Sequence, residues 1–298
     1  MKKNHIITGI VIAVALLMLF AFSVQVARLI LGDSLGVMTS EEGVGYLEVK
    51  GPIIDSEETI KQIQELKKRS NVKAVVFRID SPGGVVGPSQ EIYAEMKKLA
   101  AAKKVVVSMG SIAASGGYYI AVPATTIYAN AGSITGSIGV LMKMSNIEGL
   151  LGKVGLKAFT ITSGRFKDVG SPLRKMTPAD RAILQGIIDN LHGQFVKAVA
   201  EGRKLPADTV RKLADGRVYT GEQALALHLV DRIGTLQDAI AEAGRLAGIK
   251  GEPKLIMPPK KRSLLRDLLV EGVSSVVGEA SRRDSGFSVN YELNGGAN

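Results

Sequence analysis

The chain has 298 residues, 46% of them apolar, enough to bury a sizeable core. It contains no cysteine, which excludes disulfide frameworks, thiolate metal sites and a cysteine nucleophile. The formal charge of +10 comes from 38 Lys+Arg against 28 Asp+Glu, but the basic residues are spread over helix faces without an aromatic RNA-binding signature, so attraction to an anionic membrane is expected and a nucleic-acid partner is not.

The chain opens with Lys2 and Lys3, and an almost unbroken apolar run extends from Ile6 to Val24. At about 1.5 Å per residue such a run nearly crosses a hydrocarbon core. Residues 1–31 are therefore expected to be an uncleaved membrane anchor, the run being long for the core of a secretory signal. The two lysines put the N-terminus in the cytoplasm and everything after residue 31 outside it. A polar linker, 32–43, comes next.

From residue 44 to 257 strand-like and helix-like pieces alternate. Tyr46 to Val49, Ala74 to Ile79 and Lys104 to Ser108 read as buried strands, with amphipathic helices at Glu57 to Arg69 and Ser89 to Ala102 between them. Further strands are expected at Thr126 to Ala129 and Ala158 to Ile161, with a helix at Asn146 to Val154. Such βαβ alternation predicts an α/β fold with a parallel sheet flanked by helices. The second half is mostly helical: Thr177-Pro178 caps a helix to about Arg203, and others are expected at Ala207 to Leu213, Glu222 to Leu227 and Leu236 to Ala247. Residues 258–280 carry an apolar stripe of helical period suited to packing or to lying on a membrane. The tail, 281–298, is polar and expected to be flexible. It could enter the site as a pseudo-substrate or be trimmed there.

Two glycine-flanked loops carry chemistry. Asp80-Ser81-Pro82-Gly83-Gly84 comes after a predicted strand and reads either as a structural turn or as a loop that aims backbone N–H groups into a cavity. One βα unit later, Ala113-Ala114-Ser115-Gly116-Gly117 puts a serine where a strand ends and a helix begins. Neighbouring parallel strands bring such loops together at their carboxyl ends. A serine hydroxyl needs a base. The three histidines are His5, in the anchor, and His192 and His228, neither beside an evident orienting acid. A lysine serves where burial favours its neutral form. Lys167 stands out in a glycine-bearing loop, Ser163-Gly164-Arg165-Phe166-Lys167-Asp168, although composition alone leaves it a solvated lysine. Asp168 is expected to point away from it, since a facing carboxylate would oppose deprotonation.

The motifs DSPGG, ASGGYYIA, GSITGSIGV and SGRFKDVGSP, in that order behind an anchor, resemble those of the short bacterial form of the signal peptide peptidase A family over about residues 44–245. The resemblance implies a Clp protease/crotonase-like fold of repeated ββα units and a serine–lysine peptidase. It implies Ser115 as nucleophile, Lys167 as general base, Ser137 as the serine orienting the lysine, and Gly84 and Gly116 as oxyanion-hole donors. No metal or cofactor is expected. It implies substrates that are remnant signal peptides and other hydrophobic peptides. It further implies a homo-oligomeric ring, an octamer, whose dyads are shared between adjacent subunits. The rival readings are a crotonase-type acyl-CoA enzyme and a membrane-bound ring scaffold that binds peptides without cutting them.

Overall fold

The computed structural model describes residues 14, 16–24, 41–258 and 289–292. Residues 16–24 are helical, and among the described residues no helix is long and apolar enough to cross a membrane. Most of the expected anchor, the expected amphipathic helix at 258–280 and most of the tail lie outside the described residues.

The described residues from Glu42 onward form one unit built on a parallel sheet. Its path runs β10 (Leu255–Ile256), β1 (Gly43–Lys50), β2 (Val72–Ser81), β4 (Lys104–Ala114), β5 (Thr126–Ala129) and β9 (Arg232–Ile233). Every pairing along it is parallel. The β-branched runs Val75-Val76 and Val105-Val106-Val107 suit a sheet covered on both faces. Side chains alternate accordingly. Val75, Phe77 and Ile79 pack with Ile63 and Leu66 of α1 (Glu57–Lys68) and with Ile92 and Met96 of α2 (Val86–Ala102). Ala74 and Val76 face the other way, onto Ala239, Ile240 and Ala243. Those three belong to α8 (Leu236–Leu246), so the layers are helix, sheet, helix.

The remaining helices are α3 (Gly116–Ala121), α4 (Glu148–Lys153), α5 (Pro178–Arg203), α6 (Ala207–Leu213) and α7 (Gly221–Ala226). Thr177, Thr220 and Thr235 each close a capping box on α5, α7 and α8, satisfying first-turn N–H groups by reciprocal side-chain bonds. Short strands sit at the edge of this frame. β6 (Ile134–Gly136) pairs parallel with the end of β4 and antiparallel with β8 (Val218–Thr220). A separate three-stranded antiparallel sheet is made by β3 (Gly83–Val85), β11 (Val289–Glu292) and β7 (Leu141–Met142).

One expectation is corrected. Residues 158–161 form no strand; Phe159 and Ile161 are 89% and 94% exposed. An alternating apolar sequence is a strand only where a neighbouring strand accepts its hydrogen bonds, and within one chain this segment has none. Within the tail, residues 289–292 form β11, paired through Tyr291 opposite Gly84 and through Asn290 opposite Leu141. Tail residues form a strand because β3 and β7 offer edges on both sides.

Candidate active site

The site begins with an irregularity in β4. Ile79 pairs with Met109 and Ser81 with Ala113, so the single residue Asp80 on β2 faces three, 110–112, on β4. Such a bulge bends a strand and re-aims the residues beyond it. Asp80 fills it: its Oδ1 accepts the Ile112 N–H at 3.1 Å. Gly110 makes room, because a Cβ there would lie 2.6 Å from the Asp80 Cγ. The Ser133 hydroxyl then donates to the Gly110 carbonyl at 2.5 Å.

Beyond the bulge β4 ends and Ser115 begins α3 with φ 53° and ψ −117°, a conformation costly for any residue with a Cβ. Its amide donates to Gly136 O at 2.8 Å and its carbonyl accepts the Tyr119 amide at 2.8 Å. Such a sharp strand-to-helix turn presents a serine hydroxyl beside the first amides of the helix. The two glycine loops meet at this point. A Cβ built on Gly116 would lie 3.2 Å from the Gly84 nitrogen and 2.7 Å from the Ser89 Oγ. One on Gly84 would lie 2.1 Å from the Ile53 carbonyl oxygen. A side chain at Gly84 would run into the Ile53 main chain and one at Gly116 into the Ser89 hydroxyl and, less closely, the Gly83 and Gly84 backbone, so glycine at both brings their backbones together beside Ser115. Ser137 is close in the chain to the same point: its neighbour Gly136 receives the Ser115 amide, and Ser137 itself, at φ 50°, donates its amide to Arg217 O at 2.8 Å.

Ser115, Gly116, Gly84 and Ser137 are thus gathered by β3, β4 and β6 of one chain, and Ser115 and Ser137 are 1% and 6% exposed. Lys167 is not part of that buried cluster. It is exposed, its amide closes a turn onto Gly164 O at 3.0 Å, and among the described residues no hydrogen bond joins it to Ser115 or Ser137. Nor is it paired with Asp168, whose Oδ2 instead accepts Arg174 Nε at 2.9 Å. Neither described histidine is hydrogen-bonded to Ser115: His192 Nε2 bonds Ala214 O at 2.7 Å, and His228, at φ 57°, accepts Arg203 Nε on its backbone carbonyl. The tyrosines after Ser115 are not bases either. Burial raises the Tyr118 hydroxyl, which donates to Leu229 O, and pushes Tyr119 up to about 12, so both stay protonated near neutrality.

Sequence reasoning did not single out Asp80 as the brace of the bulge, Ser89 as the group packed under Gly116, or β11. The first had a signal in its place directly after an apolar strand. A serine on a helix and a tail strand had none.

A parallel α/β sheet with a strained serine at a strand-to-helix turn, glycine backbones gathered beside it, defines a hydrolase frame of the Clp protease type. A Clp protease family model matches residues 48–131, and a model for peptidase family S49 matches residues 97–250. The chain is 45% identical over 227 residues to a putative protease of Synechocystis sp., covering 74% of this chain and 82% of that one. It is 36% identical over 239 residues to a putative signal peptide peptidase SppA of Enterococcus faecium, covering 73% and 67%. Protease 4 of Salmonella typhi is 37% identical over 217 residues, which are 70% of this chain but 35% of that protein. The chain belongs to peptidase family S49 and is a serine protease.

Proposed function

We propose that the protein is a membrane-anchored serine endopeptidase that degrades remnant signal peptides and other hydrophobic peptides through Ser115 and Lys167. The observation that carries the proposal is the meeting of the Gly84 and Gly116 backbones at the Ser115 turn. In the reaction neutral Lys167 takes the Ser115 proton as Oγ attacks the scissile carbonyl. The Gly84 and Gly116 N–H groups hold the oxyanion, and the lysine ammonium then protonates the leaving amine. Water, deprotonated by the same lysine, releases the acyl group and restores the serine. Ser137 orients the lysine amine.

β11 supports a peptide substrate. It adds an extended segment antiparallel to β3, opposite Gly84, and lies against α2 and the Ser115 helix α3. This is how a sheet edge takes a peptide: the ladder binds any sequence, and side-chain pockets choose among them.

Lys167 reaches a serine of an adjacent copy. Support comes from the arm that carries it, where Leu150, Val154, Leu156, Phe159 and Ile161 are all more than half exposed. An apolar surface of this kind calls for a covering partner, and a ring of copies, taken as an octamer, supplies one.

The test uses the full chain in detergent with a hydrophobic peptide series. Ser115→Ala and Lys167→Ala are each expected to lose at least about 10⁴-fold in kcat/KM, and mixed mutant subunits are expected to regain part of it. Retained activity in Ser115→Ala sinks the assignment. Activity kept by Lys167→Ala alone calls for another base. Two dead mutants that stay dead when mixed, although assembled together, refute the shared site.

A further inference from the structure

The segment around Lys167 has almost no core of its own. From 152 to 168 every residue except Asp168 is exposed, so packing does not fix the base. One guanidinium is placed to do so. Arg174 Nε donates to Asp168 Oδ2 at 2.9 Å and Nη2 to the Asp168 carbonyl at 2.8 Å. Its Nη1 donates to Asp180 Oδ2 at 2.6 Å. Asp180 is itself immobilised as the third residue of the α5 capping box, where its carboxylate accepts the Thr177 amide at 3.0 Å. The arginine is held from the other side too, since Asn146 Nδ2 donates to the Arg174 carbonyl at 2.7 Å and the Ile147 amide to Pro172 O at 2.8 Å.

We propose that Arg174 is a positioning residue for Lys167, tying the Lys167 loop to the first turn of α5 and holding the Asp168 carboxylate away from the lysine amine. The inference rests on Lys167 being the base. Its physical content is a choice of partner. Asp168 adjoins Lys167 in sequence, and a carboxylate within about 4–6 Å of an amine favours the ammonium by roughly 1–3 pH units. An ammonium cannot take the serine proton. A planar guanidinium holds two carboxylates at once, which a lysine at that position could not reproduce. The charged groups that line the cavity here, of about 700 Å³, are Arg165, Asp168, Arg174 and Asp180. The Asp168 carboxylate is paired with Arg174 rather than with Lys167. Because the pair is part-exposed, its value is in direction more than in stability.

The experiment is the pH profile of kcat/KM for the full chain in detergent. Arg174→Ala is expected to move the acid limb up by at least about one pH unit, a loss of about tenfold at a pH on that limb, as Asp168 is released toward Lys167. Adding Asp168→Asn to Arg174→Ala is expected to bring the limb back. A merely structural role lowers the rate at every pH, leaves the limb in place and is not rescued by Asp168→Asn. That result overturns the proposal. If thermal melting shows that Arg174→Ala does not fold, Arg174→Lys carries the test, with a smaller shift in the same direction expected and an unmoved limb again overturning it. Lys167→Ala separates the two levels. If that variant stays active, the dyad itself fails; if it is dead while the arginine variants leave the limb unmoved, only the positioning role fails.

Discussion

The Ser115 turn and the Lys167 arm are built in opposite ways. Around Ser115 the chain from Ala113 to Tyr119 is buried, Gly84 and Gly116 are pressed against neighbouring atoms, and a two-residue excess in β4 is filled by one carboxylate. Around Lys167 the chain is exposed, its apolar residues face outward, and a single arginine replaces a core. The serine half of the proposed site is gathered within one chain, whereas the arm that carries Lys167 leaves Phe159 and Ile161 89% and 94% exposed. Substitutions in the two regions should therefore fail differently.

After the proposed dyad itself, the largest effect is expected at the glycines. If Gly84 and Gly116 supply the proposed oxyanion donors, Gly84→Ala and Gly116→Ala should each cost about 10²–10³ in kcat, with a loss of about 1–3 kcal/mol in unfolding free energy from overpacking. Denaturant melts and steady-state kinetics read both. The two should differ in rescue. The nearest obstacle to a Gly116 methyl is the Ser89 Oγ, which Ser89→Ala removes, whereas the obstacle at Gly84 is the Ile53 main chain, which no side-chain change moves. Equal rescue of both variants would contradict the packing described.

On the arm the order reverses. Phe159→Ser and Ile161→Ser should leave the unfolding free energy of a chain within about 0.5 kcal/mol, yet shift sedimentation toward smaller species and lower activity in parallel. Unchanged sedimentation with full activity would show that these side chains face no partner.

The smallest effect concerns Asp180, whose carboxyl is held low, at about 2 against an ordinary 3.8, first by the Arg174 hydrogen bond and then by the Thr177 amide. A depressed folded value stabilises above the unfolded value and is lost as the group protonates. The stability gap between wild type and Asp180→Asn should therefore be full above about pH 4 and close as the pH falls from 3.8 toward about 2. A gap that does not depend on pH in this window would assign the cost to the cap geometry instead.

The frame was legible because its signals are local. The strand at Thr126–Ala129 and the helices at Ala207–Leu213 and from Pro178 to Arg203 fall where apolar periodicity and caps put them. The Ser115 turn was legible for the same reason, a strand-like run broken by small residues before an apolar helix. What was not legible depends on partners distant in sequence. β6 to β11 are two to four residues each and exist only by pairing across the fold. The Phe159-Thr160-Ile161 alternation misled because periodicity specifies a face but not the neighbour to cover it. The choice of Lys167 came from motif resemblance, since an exposed loop lysine has no local pattern of its own.

Ser115 sits at φ 53°, a region glycine enters freely and serine does not. Conformationally it is the wrong residue for its own position. Stability alone would favour glycine at this φ, so a serine there fits the proposed use of its hydroxyl as nucleophile. In a descendant that had given up peptidase chemistry, this position should be among the first to drift toward glycine, with the surrounding fold intact.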